Sequence, residues 1–187
     1  MNEKTLQADY WVSKYADMLY AYTVVRVTDT NVAEDIVQET FLSAWKGRET
    51  YNGDASEKNW LFTICKNKII DYFRKKGNNL VSYGEFDTNS GVFDDQDHWT
   101  NESAPKNWKT NDMQPVERKE FYSILEMCKQ KLQQLQQQVF VMKYMEDIDS
   151  DEICKVLNIT PSNYWVLIHR AKIQLRKCME FNWMKLA

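Results

Sequence analysis

The chain has 187 residues, enough for one domain or two small ones, and 43% of them are hydrophobic, which supports folded cores. Five glycines and three prolines beside many Gln, Lys, Glu and Leu point to a mostly helical protein. The net charge of −3 excludes little, but no run reaches the roughly 18 apolar residues of a membrane span. The N-terminus also lacks an apolar signal core, so the expectation is a cytoplasmic protein with no membrane insertion.

Charge is unevenly distributed. Residues 1–76 carry 11 basic and 11 acidic side chains, residues 77–112 carry 2 against 7, and residues 113–187 carry 11 against 9. The excess negative charge lies in the middle. Cys65, Cys128, Cys154 and Cys178 are widely spaced and form no CxxC pair, which argues against zinc. Each falls on an apolar or helical position, so they read as buried free thiols; a redox-sensing role has no support in the spacing.

A first amphipathic helix is expected over 10–27, with Trp11, Tyr15, Met18, Leu19, Tyr22 and Val25 at periodic positions. Residues 28–31 are a polar break. The next helix, covering 33–45, has two faces. Ile36, Val37, Thr40, Phe41 and Ala44 gather on the core side. Opposite them lie Asp35, Gln38, Glu39 and Leu42, an acidic and amide face with an exposed leucine that suits a basic partner surface.

Residues 49–55 form a loop with an Asn-Gly turn signal. Ser56 is placed to cap a third helix over 57–76, with Glu57 in its first turn and Gly77 as its stop. Leu61, Phe62, Cys65, Ile69, Tyr72 and Phe73 form its core side. Trp60, Thr63, Ile64, Asn67, Asp71 and Arg74 face the other way, flanked by Lys68 and Lys75. Aromatics stack on unpaired bases while cations hold phosphates, so this face fits an opened nucleic-acid strand; a core tryptophan beside a solvated charge cluster fits it as well.

Residues 78–112 lose periodicity and read as a long acidic linker between two domains. Helical character resumes over 114–135. The glutamine-rich stretch 133–138 reads as helix surface, since Leu132, Leu135, Val139, Phe140 and Met142 continue the apolar period through it. Helices are then expected over 132–144, 150–157 and 161–178. Asp149 and Glu152 are spaced for a capping box, Asn158 marks a sharp turn, and Thr160 caps a helix with Pro161 first. Two short helices joined by so tight a turn are a helix-turn-helix signature, although helical hairpins without DNA function share it. In the last helix Tyr164, Leu167, Ile168, Ala171 and Leu175 form the core stripe. Trp165, His169, Lys172 and Arg176 form an exposed stripe, flanked by Arg170 and Lys177. A basic stripe there is what major-groove docking needs. No nucleophile–base pair, metal-ligand spacing or phosphate-binding glycine loop is visible, so neither enzyme activity nor a cofactor is expected.

Taken together, AEDIVQETFLSAW, NWLFTICKNKIIDYFRKK and VFVMKYMEDIDSDEICKVLNIT followed by HRAKIQLR resemble the bacterial RNA polymerase sigma factors. The two-domain layout is similar to the extracytoplasmic-function (ECF) group. The resemblance covers roughly residues 10–76 and 130–178, and it implies an all-α fold: a region 2-like domain at 1–77, an acidic linker at 78–112 and a region 4-like helix-turn-helix domain at 113–187. It implies an alternative sigma factor that binds core RNA polymerase and promoter DNA, with an anti-sigma factor as a further partner.

By the same resemblance, Asp35, Gln38, Glu39 and Leu42 dock on polymerase. Thr50, Tyr51, Asn52, Gly53 and Asp54 capture a flipped base of the minus-ten element, and Trp60, Asn67, Lys68, Arg74 and Lys75 belong to the helix that holds the opened strand. Ser162, Asn163, Trp165, Val166, His169, Arg170, Lys172 and Arg176 belong to the reader of the minus-thirty-five element. The acidic linker would thread a basic nucleic-acid channel and be displaced by growing RNA. The chain departs from the family where Gln133, rather than a proline, follows Leu132, and where the last helix opens Pro161-Ser162-Asn163-Tyr164-Trp165-Val166-Leu167. Promoter sequence therefore does not carry over. Two rival readings stand beside this one: a stand-alone helix-turn-helix regulator, which leaves the polar face at 35–42 without a use, and a sigma-like protein that titrates an anti-sigma factor, motivated by Trp165 and Val166.

Overall fold

Seven α-helices account for most of the described residues of the computed structural model, 6–77, 100 and 114–183, and none of these residues lies in a strand. The fold is all-α, in two units that divide between Asn79 and Leu80. Residue 100 apart, the segment read as a linker lies outside the described residues. No helix among the described residues is long and apolar enough to cross a membrane.

The N-terminal unit contains α1 (Trp11–Val27), α2 (Thr30–Gly47) and α3 (Glu57–Gly77), each packed on the other two. Leu19, Thr23 and Val27 of α1 are buried with Ala33, Ile36, Val37, Thr40 and Ala44 of α2 and Leu61, Cys65, Ile69 and Phe73 of α3. Each large apolar side chain buried this way contributes about 1.5–3 kcal/mol. The expected periodic Met18 is exposed instead, and Thr23 takes a core place because its hydroxyl donates to the Leu19 carbonyl at 2.7 Å. Helix α1 stops at Thr28, whose φ of 63° is left-handed. Asp29 then starts α2, its carboxylate accepting from the amides of Asn31 and Val32.

Glu57, at the first turn of α3, holds this unit together more than a residue favouring the helix dipole would. Its carboxylate accepts from the Gln7 amide at 2.6 Å, the Trp11 indole at 2.6 Å and the Tyr15 hydroxyl at 3.1 Å. Burial pushes the Tyr15 phenol upward, and the hydrogen bond and charge of Glu57 add to the shift.

The C-terminal unit contains α4 (Pro115–Gln130), α5 (Gln134–Tyr144), α6 (Ser150–Leu157) and α7 (Pro161–Asn182). Helices α4, α5 and α6 all pack on α7. Four expectations are corrected here. The helix expected through 135 breaks before Leu132, and α5 restarts with the Gln136 side chain accepting from the Gln133 amide at 3.2 Å. Gln136 and Gln138 are buried rather than on the surface, because α5 is packed against both α6 and α7. Asp149 makes no side-chain capping bond and stays exposed. Finally, Cys128 and Cys178 are not free thiols: a disulfide joins them, while Cys65 and Cys154 remain as buried thiols.

Candidate nucleic-acid interface

On the core side of α2, Ile36, Val37, Thr40 and Ala44 are buried and Phe41 is half-buried, which leaves its other side to solvent or a partner. Asp35, Gln38, Glu39 and Leu42 are all exposed, Leu42 by 54% of its surface. Trp45 extends the row with 47% exposure, the Arg48 guanidinium lying 4.3 Å from its ring centre. Glu39 also reaches sideways to Lys68 of α3 at 3.5 Å. The face is thus acidic and amide around an apolar centre.

The loop after α2 is held by its own hydrogen bonds. The Thr50 hydroxyl donates to the Gly47 carbonyl at 2.7 Å, and the Tyr51 hydroxyl to the Ala55 carbonyl at 2.5 Å. Asn52 and Asp54 bond each other twice across Gly53, whose φ of 79° suits a residue without a side chain. The Tyr51 ring lies 5.1 Å from Trp60, and Trp60 lies 5.9 Å from Trp11. Trp60 is half-buried against the core and forms the wall behind the loop, while Thr50, Asn52 and Asp54 stay exposed.

Ser56 caps α3 as expected, accepting from the Asn59 amide at 3.2 Å. Along the outer face of α3, Asn67, Arg74 and Lys75 are exposed and Lys68 is half-buried. Arg74 pairs with Asp71 one turn back. The loop and this face belong to the same unit and share Trp60 between them.

In the C-terminal unit, Asn158 turns the chain at a left-handed φ of 53°, and Thr160 accepts from the Asn163 amide at 3.2 Å to start α7. Pro161 occupies the first helical position. Tyr164, Leu167, Ile168, Ala171 and Leu175 are buried, as their period requires, and Met179 continues the stripe. Ser162 and Trp165 are exposed; Asn163, Val166, His169, Arg170, Lys172 and Arg176 are half-buried. Trp165 stands edge-on to Tyr164 at 5.1 Å and lies 6.1 Å from His169, its neighbour on the expected stripe. Arg176 is paired with Glu180 at 2.9 Å, a partner outside the span first expected for this helix.

The second unit is built as a helix-turn-helix, a layout common in DNA-binding proteins, beside a helical unit with a polar outer face. The Sigma-70 region 2 family matches residues 11–79 and the Sigma-70, region 4 family matches residues 122–175. A protein of Haemophilus influenzae named as a probable RNA polymerase sigma factor is 33% identical over 174 residues, 92% of this chain and 89% of that one. The ECF RNA polymerase sigma factor SigX of Bacillus subtilis is 29% identical over 179 residues, 95% of this chain and 85% of its own. Among solved structures, the sigma factor RpoE bound to the anti-sigma factor NepR, from Bartonella quintana, is similar at a TM-score of 0.43 and 15% identity, covering 93% of this chain and 97% of that one.

The chain belongs to the RNA polymerase sigma factors, in their ECF group. It is an alternative sigma factor that binds core RNA polymerase and directs promoter recognition and transcription initiation. The region 2 match gives the N-terminal unit a use that a stand-alone helix-turn-helix regulator would lack.

Proposed function

We propose that the two units divide the work of initiation among named side chains. Asp35, Gln38, Glu39 and Leu42 of α2 dock on polymerase. Thr50, Tyr51, Asn52, Gly53 and Asp54 form a base-capturing loop backed by Trp60, and Asn67, Lys68, Arg74 and Lys75 hold the opened strand. On α7, Ser162, Asn163, Trp165, Val166, His169, Arg170, Lys172 and Arg176 read the minus-thirty-five element. The observation that supports this reading is the exposure of all four α2 residues on the side opposite the buried Ile36, Val37, Thr40 and Ala44.

Opening follows from differential binding. Unstacking one base costs a few kcal/mol, which contacts in the loop must offset. A loop already ordered by the Tyr51, Thr50 and Asn52 bonds loses little further entropy when a base arrives. The protein makes and breaks no covalent bond in this scheme. It works in the cytoplasm, where polymerase and promoter are, and an anti-sigma factor holds it inactive.

The test is transcription with purified core polymerase on genomic DNA, followed by mapping of transcript starts. The expected result is a set of starts sharing two upstream motifs at a constant spacing. Trp165, 43% exposed on α7, favours one second reading, in which this helix binds a protein instead of DNA. Starts without a shared upstream motif of the pair would favour that reading.

A further inference from the structure

Cys128 and Cys178 are 50 residues apart in sequence, yet α4 and α7 bring their Cα atoms to 5.7 Å, within the span a disulfide bridges without backbone movement. They differ in access. Cys128 is 1% exposed in a cluster with Leu132, Ala171, Leu175 and Met179. Cys178 lies half-buried at the edge of that cluster, where the Asn182 amide donates to its sulfur at 3.4 Å. Cys178 is therefore the sulfur a small molecule in solution reaches first.

We propose that Cys128 and Cys178 form a reversible thiol–disulfide site that takes a small-molecule disulfide as oxidant and staples α4 to the recognition helix. The more accessible Cys178 gives up its proton to solvent, attacks one sulfur of the small disulfide and expels the other as a thiolate, leaving a mixed disulfide on Cys178. Cys128 gives up its proton to solvent, attacks the Cys178 sulfur and expels the second small thiolate. Two protein thiols are oxidised and one small disulfide is reduced to two thiols; excess small thiol reverses both steps.

The other two cysteines do not compete. Cys65 is fully buried with its sulfur 3.2 Å from the Thr23 hydroxyl. Cys154 is buried, and burial together with the nearby Asp151 carboxylate pushes its thiol upward, away from the reactive thiolate. The staple closes a loop containing α5, α6 and most of α7, so oxidation restricts the unfolded form of the whole helix-turn-helix unit. Disulfides in a reducing compartment are mostly transient and redox-sensing, which is the use this pair suits.

The experiment equilibrates the full chain across ratios of reduced to oxidised glutathione, then denatures it and counts thiols with a polyethylene-glycol maleimide. Of the four cysteines, all four label when reduced and only Cys65 and Cys154 label when oxidised, in one two-electron step. Melting of the C-terminal unit falls by about 10 °C on reduction. In Cys178→Ala, whose side chain is only half-buried, reduction moves neither the thiol count nor the melting. Four labelled thiols in fully oxidised glutathione, or melting indifferent to reduction in the parent chain, would overturn the proposal. Neither readout uses DNA or polymerase, so failure here leaves the promoter reading standing.

Discussion

The Lys68 ammonium lies 3.5 Å from the Glu39 carboxylate and joins the outer face of α3 to that of α2. Glu39 belongs to the proposed polymerase face and Lys68 to the proposed strand-holding face, so one ion pair spans the seam between the two. Their side chains are 58% and 27% exposed, and solvent screens such a pair strongly. A double-mutant cycle with Glu39→Ala and Lys68→Ala is expected to give a coupling of only about 0.5 kcal/mol in thermal or urea unfolding. A pair this weak adds little to the stability of the fold. A coupling several times larger would make it structural.

Glu57 is expected to matter far more to stability. Replacing it with alanine leaves the Trp11 indole, on a side chain only 2% exposed, without its acceptor, and also removes the bonds from Gln7 and Tyr15. A buried donor left unsatisfied costs about 1–3 kcal/mol, so Glu57→Ala should lose at least about 2 kcal/mol in urea unfolding, with Glu57→Gln losing less. Equal losses from the two would show that charge, not hydrogen-bond acceptance, is what Glu57 supplies.

The pH dependence of the same cluster follows from Tyr15. Burial first, then the Glu57 hydrogen bond and charge, make its phenol keep its proton to higher pH when folded. The folded value lies above the unfolded one of about 10, so stability from this group is whole below that pH and is lost as pH rises through the folded value. The N-terminal unit should lose stability above about pH 10, and Tyr15→Phe should flatten that decline. Melting measured from pH 8 upward checks it.

Much of this was legible in the sequence. The period of α2 separated its buried Ile36 and Val37 from the exposed Asp35 and Gln38, because a long amphipathic helix has only one way to bury its stripe. Thr160, Pro161 and Asn158 marked the turn into α7 by local chemistry alone. What stayed hidden depends on partners distant in the chain. Glu57 is bonded to residues 42 to 50 positions away, and Cys128 meets Cys178 across 50. Gln136 and Gln138 look like surface residues until α6 and α7 pack around α5.

On α7, Arg176 is expected to bind a phosphate, in competition with its Glu180 pair. Arg176→Ala should weaken duplex binding and lower the slope of log affinity against log salt by about one unit. Glu180→Gln should strengthen binding by removing a negative charge that competes with the phosphate and repels it. An unaltered slope in the alanine variant would remove Arg176 from the interface.

The most direct test of the division of labour is competition for core polymerase between the parent chain and the Asp35→Arg, Gln38→Ala double variant. Both side chains are exposed, so circular dichroism and melting should be unchanged. The expected result is core binding weakened at least about tenfold, the effect of about 1.4 kcal/mol, with duplex binding by α7 intact. Unchanged affinity for core in a variant that keeps its fold would contradict the assignment of the α2 face to polymerase.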